Sequence, residues 1–220
     1  MGLTSFQPLV ANNAEYNYVP TGQDRRRILN FDYTYELPQP GKLMHAPILG
    51  IITDHWVLSG ITTAQTGAPF TPGFSTNPSV DITGSSSLGA RIQVVGAGQG
   101  AGPGGNYAAN NIGQTTYFNT NAFAEPAVGT IGNAGVNILR NPGYVNFDAS
   151  IARRIPVGHN EKRVFVLRFE SYNIFNHSEF NGLGTSAIFN ASNVNTQNTF
   201  GTVTGTRPAR ICSGVLRFEF

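Results

Sequence analysis

Charge is scarce in this chain of 220 residues: Asp, Glu, Lys and Arg together make up 12%, against a usual share of about 25%. The balance of 14 basic and 12 acidic side chains leaves a formal charge of +2, which gives no electrostatic case for nucleic acid as a partner. One cysteine, Cys212, rules out an internal disulfide framework and a Cys-rich metal site. No apolar run approaches the ~18 residues of a membrane helix; the longest lies near Ala46 to Ile52. His45, His55, His159 and His177 have no metal-ligand spacing, and each reads as a loop or strand-surface residue. The carboxylates lie on different segments with no nucleophile or histidine set beside them, so neither an enzyme nor a cofactor is expected. Gly100, Gly102 and Gly105 match GxGxxG formally, but Pro103 interrupts the motif and an Asn-rich stretch follows instead of a helix. The expectation there is a loop tip.

What fills the composition is neutral. Glycine (26) and proline (13) are abundant, Asn outnumbers Lys and Arg together, and Phe (15) and Tyr (8) are plentiful. These residues form helices poorly and suit strands joined by polar loops. Five segments alternate with period two. Segment A (27–37) sets Leu29, Phe31, Tyr33, Tyr35 and Leu37 against Asn30, Asp32, Thr34 and Glu36. Segment B (54–66) is weaker, with Trp56, Leu58, Gly60 and Ala64 on one face. Segment C (144–155) sets Val145, Phe147, Ala149 and Ile151 against Asn146, Asp148, Ser150 and Arg154. Segment D (163–176) sets Phe165, Leu167 and Phe169 against Arg168 and Glu170, with Val164, Val166 and Ile174 breaking its polar face and Ser171 and Asn173 its apolar one. Segment E (207–220) ends with Leu216, Phe218 and Phe220 alternating against Val215, Arg217 and Glu219.

At 11 to 14 residues these segments exceed the ~5–6 of ordinary strands and match a tilted strand crossing a bilayer. The links alternate in length. A to B is a moderate turn broken by Pro38, Pro40 and Gly41, and C to D is short, whereas 67–143 and 177–206 are long. The expected fold is all-β: an antiparallel meander of about five long strands in the order A-B-C-D-E, with A and E as unpaired edges. Such a sheet is an open portion of a transmembrane β-barrel, with short periplasmic turns and long outer loops. The meander sets Tyr33, Tyr35, Trp56, Phe165, Phe218 and Phe220 toward one end of the apolar face, the place of an interfacial aromatic girdle. A secreted β-sandwich binding or adhesion module is the alternative architecture; its strands would be shorter.

The runs GTIGNAGVNILRNPGYVNFDASIARRIPV, VFVLRFESYNIFNHSEF and FGTVTGTRPARI, with ILNFDYTYELP, WVLSGITTAQTGAPF and YFNTNAFAEP upstream, resemble the C-terminal end of TonB-dependent outer-membrane receptors. The subgroup is the Oar-like one, whose members carry a carboxypeptidase-regulatory-like domain. The resemblance covers residues 24–220, leaving 1–23 unassigned; Cys212 and Ser213 depart from the family pattern. It implies energised import of a bulky nutrient, such as an oligosaccharide, peptide or metal chelate, across the outer membrane of a Gram-negative-type cell. The plug, the TonB contact and the signal peptide are then expected upstream, this chain being a fragment. Leu216, Phe218 and Phe220 resemble the signal read by the barrel-assembly machinery. The implied partners are outer-membrane lipid and lipopolysaccharide, the rest of the barrel and its plug, the TonB complex acting through that plug, and the assembly machinery.

Candidate residues follow from the meander. Asp32, Asp148, Arg168, Glu170 and Arg217 are expected to face the lumen, with Arg168 and Glu170 pairing across the ladders with Asp148 and Arg217. Asp24 and the run Arg25, Arg26, Arg27 form a strand end able to meet lipopolysaccharide phosphates or simply solvent. Cys212 reads as a small apolar residue on the lipid face. Tyr107, Tyr117, Phe118 and Phe123 are loop aromatics that either contact ligand or pack the loop on itself.

Overall fold

A computed structural model describes residues 19–85, 88–96, 116–158 and 163–220. In chain order the elements are β1 (Ile28–Glu36), α1 (Pro40–Leu43), α2 (Pro47–Thr53), β2 (Trp56–Gln65), β3 (Pro69–Phe70), β4 (Gly73–Asn77), β5 (Gln93–Val94), β6 (Phe123–Ala124), β7 (Leu139–Arg140), β8 (Tyr144–Pro156), β9 (Val164–Tyr172), β10 (Phe180–Leu183), β11 (Ser186–Asn190), β12 (Val203–Thr206) and β13 (Ile211–Glu219). They fall into two compact units. The sheet unit comprises Arg27–Gln65, Tyr144–Glu179 and Arg207–Phe220; the loop unit comprises Thr66–Gly143, Phe180–Thr206 and the described residues up to Arg26.

The sheet unit holds one five-stranded antiparallel sheet, ordered β1-β2-β8-β9-β13. This is the A-B-C-D-E meander, and β1 and β13 each have a single neighbour in the sheet. Its register runs unbroken through each pair, so alternation alone sorts the side chains. Leu29, Ala64 and Val145 form one row, then Phe31, Thr62 and Phe147, then Tyr35, Leu58, Ile151, Phe169 and Gly214. This face remains uncovered at the edges: Leu29 is 60% exposed, Tyr35 58% and Leu216 68%. The other sheets among the described residues have two strands each, too few for the second layer that a sandwich requires.

Two boundaries differ from the periodicity. Strand β9 stops at Tyr172, short of Asn176, because Asn173 takes a left-handed φ of 52° and Asn176 one of 51°. Asp148 Oδ1 accepts the Asn173 N–H at 2.9 Å, and Asn173 Oδ1 accepts that of His177 at 2.9 Å. An Asx-rich turn thus replaces the end of segment D. Strand β13 correspondingly begins at Ile211 rather than near Arg207.

The A-to-B link is not a simple turn. Pro40 and Pro47 stand at the first turns of α1 and α2, where a fixed φ and a missing N–H favour a helix start. The two short helices cross at Gly41, where a Cβ would collide with the backbone of Gly50. Buried Asp54 fixes the crossing: its carboxylate accepts the Gly41 N–H at 3.0 Å and the Lys42 N–H at 3.1 Å.

The loop unit is built from two-stranded pairs: β10–β12, β11–β4 (parallel), β3–β7 and β5–β6. It has its own hydrophobic core. Phe118 has no exposed surface and meets Phe200 edge-on at 5.2 Å, Phe123 at 5.8 Å and Phe70 at 6.0 Å, with Ile92, Leu139 and Phe189 around them.

Candidate functional site: the two faces of the sheet and its helical turn

The sequence-predicted charges Asp32, Asp148, Arg168, Glu170 and Arg217 all fall on the face opposite Phe31, Ile151 and Phe169, together with Glu36, Arg154 and Glu219. Their pairings differ from expectation. Arg168 bonds Glu170 along its own strand at 2.9 Å, and Glu219 takes Arg154 at 2.8 Å and Arg217 at 3.6 Å. The expected Arg168–Asp148 and Glu170–Arg217 pairs are corrected by register. Arg168 stands opposite Ala152 and Val215, and Glu170 opposite Ser150 and Ser213, two same-face rows from those partners. Glu170 also accepts from Ser213 Oγ at 3.3 Å and from the Tyr172 hydroxyl at 3.2 Å. These are solvated ladders in which each pair is worth well under ~1 kcal/mol.

On the apolar face the aromatic residues descend over several rows. Tyr33 lies across Gly60; Tyr35 stands opposite Leu58; Trp56 opposite Arg153; Phe165 opposite Phe218, with rings 4.8 Å apart. Phe220, 95% exposed, stacks on Phe218 at 6.0 Å. They share a face and do not share one cross-strand row. Since barrel strands tilt by about 35–45°, a membrane level crosses such rows obliquely.

One side chain on this face escaped the pattern. Arg153 occupies an apolar-face position and is buried. Its guanidinium donates from Nε to the Asp54 carbonyl at 3.0 Å, and from Nη2 to the carbonyls of Gly50 (3.3 Å) and Ile51. Its cross-strand partner Trp56 donates from Nε1 to the Ile52 carbonyl at 2.9 Å and lies 5.6 Å beneath the guanidinium carbon. The carbonyls of the last turn of α2, of which Gly50 also takes the Asp54 N–H at 3.2 Å, are therefore capped by two residues of the apolar face. A cation there also meets the negative end of the helix dipole. The sequence signal was present: an Arg where alternation calls for an apolar residue, opposite the one tryptophan.

The proposed loop contacts require correction. Tyr117, Phe118 and Phe123 are buried in the core of the loop unit, and rings without an exposed face cannot stack on a ligand. Tyr107 and the Gly100–Gly102–Gly105 motif lie outside the described residues, as does His159. The Asp24 carboxylate pairs with Arg140 inside the loop unit, while the Asp24 carbonyl accepts from Arg25 Nη1 at 3.3 Å. There too, Arg91 donates to the Ala134 carbonyl at 3.3 Å, and burial pulls its guanidinium below its ordinary pKa. His177 Nδ1 lies 2.9 Å from Glu179, whose Oε1 accepts the Val145 N–H at 3.1 Å. Cys212 is exposed, with Ser171 Oγ 3.5 Å from its sulfur.

An antiparallel meander with unbroken register, an apolar face exposed at its edges and a charged opposite face defines a membrane β-barrel protein. The chain belongs to the outer membrane beta barrel domain family, whose model matches residues 2–212. It is therefore a protein of the Gram-negative outer membrane. Comparison with curated proteins and with solved structures gives no match.

Proposed function

We propose that this chain is the C-terminal part of the barrel of a TonB-dependent, Oar-like receptor that imports a bulky nutrient: an oligosaccharide, a peptide or a metal chelate. The observation that carries this reading is the sheet's pair of unpaired edges, β1 and β13. Exposed backbone edges are unsatisfied in a bilayer, and further strands joining β1 to β13 close the barrel. Five strands are fewer than the ~8 of the smallest closed barrels.

On this reading Asp32, Asp148, Arg168, Glu170 and Arg217 line the lumen and meet the plug, while Tyr33, Tyr35, Trp56 and Phe165 meet lipid headgroups. Leu216, Phe218 and Phe220 are offered to the barrel-assembly machinery. The end bearing the α1–α2 link is periplasmic, and the excursions 66–143 and 173–210 leave toward the cell exterior. The protein performs no chemistry of its own; energy arrives through the plug from the TonB complex. Lipopolysaccharide surrounds the outer end of the barrel.

The test is genetic. A strain deleted for the gene is grown on limiting oligosaccharide, peptide and chelated-metal sources, beside a strain with inactive TonB. The expected result is loss of growth on one class in both strains. Equal growth of the deletion strain on every class, or a loss that TonB inactivation does not copy, overturns the proposal.

A further inference from the structure

Among the described residues the α1–α2 hairpin carries the most exposed apolar cluster outside the strands. Leu43, Met44, Ile48, Ile51 and Ile52 are between 67% and 79% exposed. In a turn bathed only by water, five such side chains in about ten residues make a patch of the kind that marks an interaction surface. Hairpin polarity is equally one-sided. Asp54 is buried against the N–H groups of α1, leaving Lys42 as its exposed charge. A rigid apolar surface with one basic side chain is the chemistry of a segment lying in a membrane interface.

What covers this surface follows from where the hairpin is fastened. Arg153 and Trp56, both apolar-face residues, hold the C-terminal carbonyls of α2. The hairpin is thus tied to the face that meets lipid, not to the charged one, and its apolar side chains continue that face. Arginine on the lipid side of a barrel is costly away from the interface and nearly neutral close to it. Arg153 also has Nε and Nη2 engaged by backbone carbonyls, so it acts as a fastener. We propose that the α1–α2 hairpin is an interfacial anchor, seated in the headgroup region of the phospholipid leaflet with Ile48, Ile51 and Ile52 among the upper acyl chains and Lys42 at phosphate level. This rests on the periplasmic placement of that end given above, because the periplasmic leaflet is the phospholipid one.

The experiment uses the complete receptor of which this chain is the C-terminal part, in a background without other cysteines (Cys212→Ser included), reconstituted into dioleoylphosphatidylcholine vesicles. An environment-sensitive fluorophore is attached at Ile51→Cys and, in a second protein, at Phe169→Cys on the apolar face of β9. Emission is read in plain lipid, in lipid brominated near the headgroup, in lipid brominated near the chain ends, and with aqueous iodide. The expected result at position 51 is a blue-shifted emission, protected from iodide and quenched most by the shallow bromines. A label at 51 open to iodide and unaffected by bromines, while that at 169 is quenched, overturns the anchor and leaves the barrel standing. A label at 51 shielded from both shows a protein cover, such as a second copy, and equally overturns it. Failure of bromines to quench at 169 overturns instead the lipid-facing assignment beneath the proposal.

Discussion

The two units use the same residue type in opposite ways. In the sheet unit Phe31, Phe169 and Phe218 alternate with polar neighbours and stand at least partly exposed. In the loop unit Phe118, Phe123, Phe189 and Phe200 arrive from separate stretches of Gly- and Asn-rich chain and meet in a closed core. Phenylalanine is thus no guide to its own surroundings; its neighbours are. Period two assigns it to a face whose solvent is lipid, where no protein partner is needed. Without a period it must find other rings, and the edge-to-face geometry at 82° and 89° shows that it does.

The sharpest way to break this contrast is Phe118→Ala. Truncating a fully buried ring at the centre of the loop unit is expected to cost about 3–5 kcal/mol. Hydrogen exchange on the complete receptor in vesicles should show lost protection in 116–124 while β8 keeps its own; loss in both would erase the distinction. Next in size is Ile151→Arg, midway along β8 on the apolar face. If that face meets lipid, the charge costs about 2–4 kcal/mol near the bilayer centre, measured by urea-dependent folding of the complete barrel into vesicles. An unchanged midpoint would say that water, not lipid, lies against Ile151. The smallest effect belongs to the opposite face. Arg154→Ala removes an exposed partner of Glu219 and should change stability by no more than about 1 kcal/mol; a larger loss in the same folding assay would mean that this face is drier than a lumen.

Strand pairing was legible in the sequence because alternation needs no distant information. Leu29, Phe31, Tyr33 and Tyr35 announce their face, and the register of β1 with β2 follows. What escaped had other causes. Pro38, Pro40 and Gly41 read as breakers, and Pro40 and Pro47 also start helices, a double meaning that only the Gly41–Gly50 crossing resolves. Arg153 broke the apolar pattern, and its partners are main-chain carbonyls that carry no side-chain signature. The aromatics of the long excursions have no spacing that foretells burial. Tyr117 and Phe118 look like loop-tip residues until Phe200 and Phe189 are brought beside them.

One small feature of the sheet bears on how it is put together. Gly60 lies directly opposite Tyr33, and the phenol ring lies over it so closely that any Cβ there would clash with the ring. It is the one glycine in β2, so the ring finds a notch at a single position along that strand. A slip by one residue turns every side chain over, and a slip by two sets the ring against Leu58 or Thr62. The tyrosine is in effect a key, and the outermost strand of the sheet can dock on its neighbour in one alignment before anything is added beyond it.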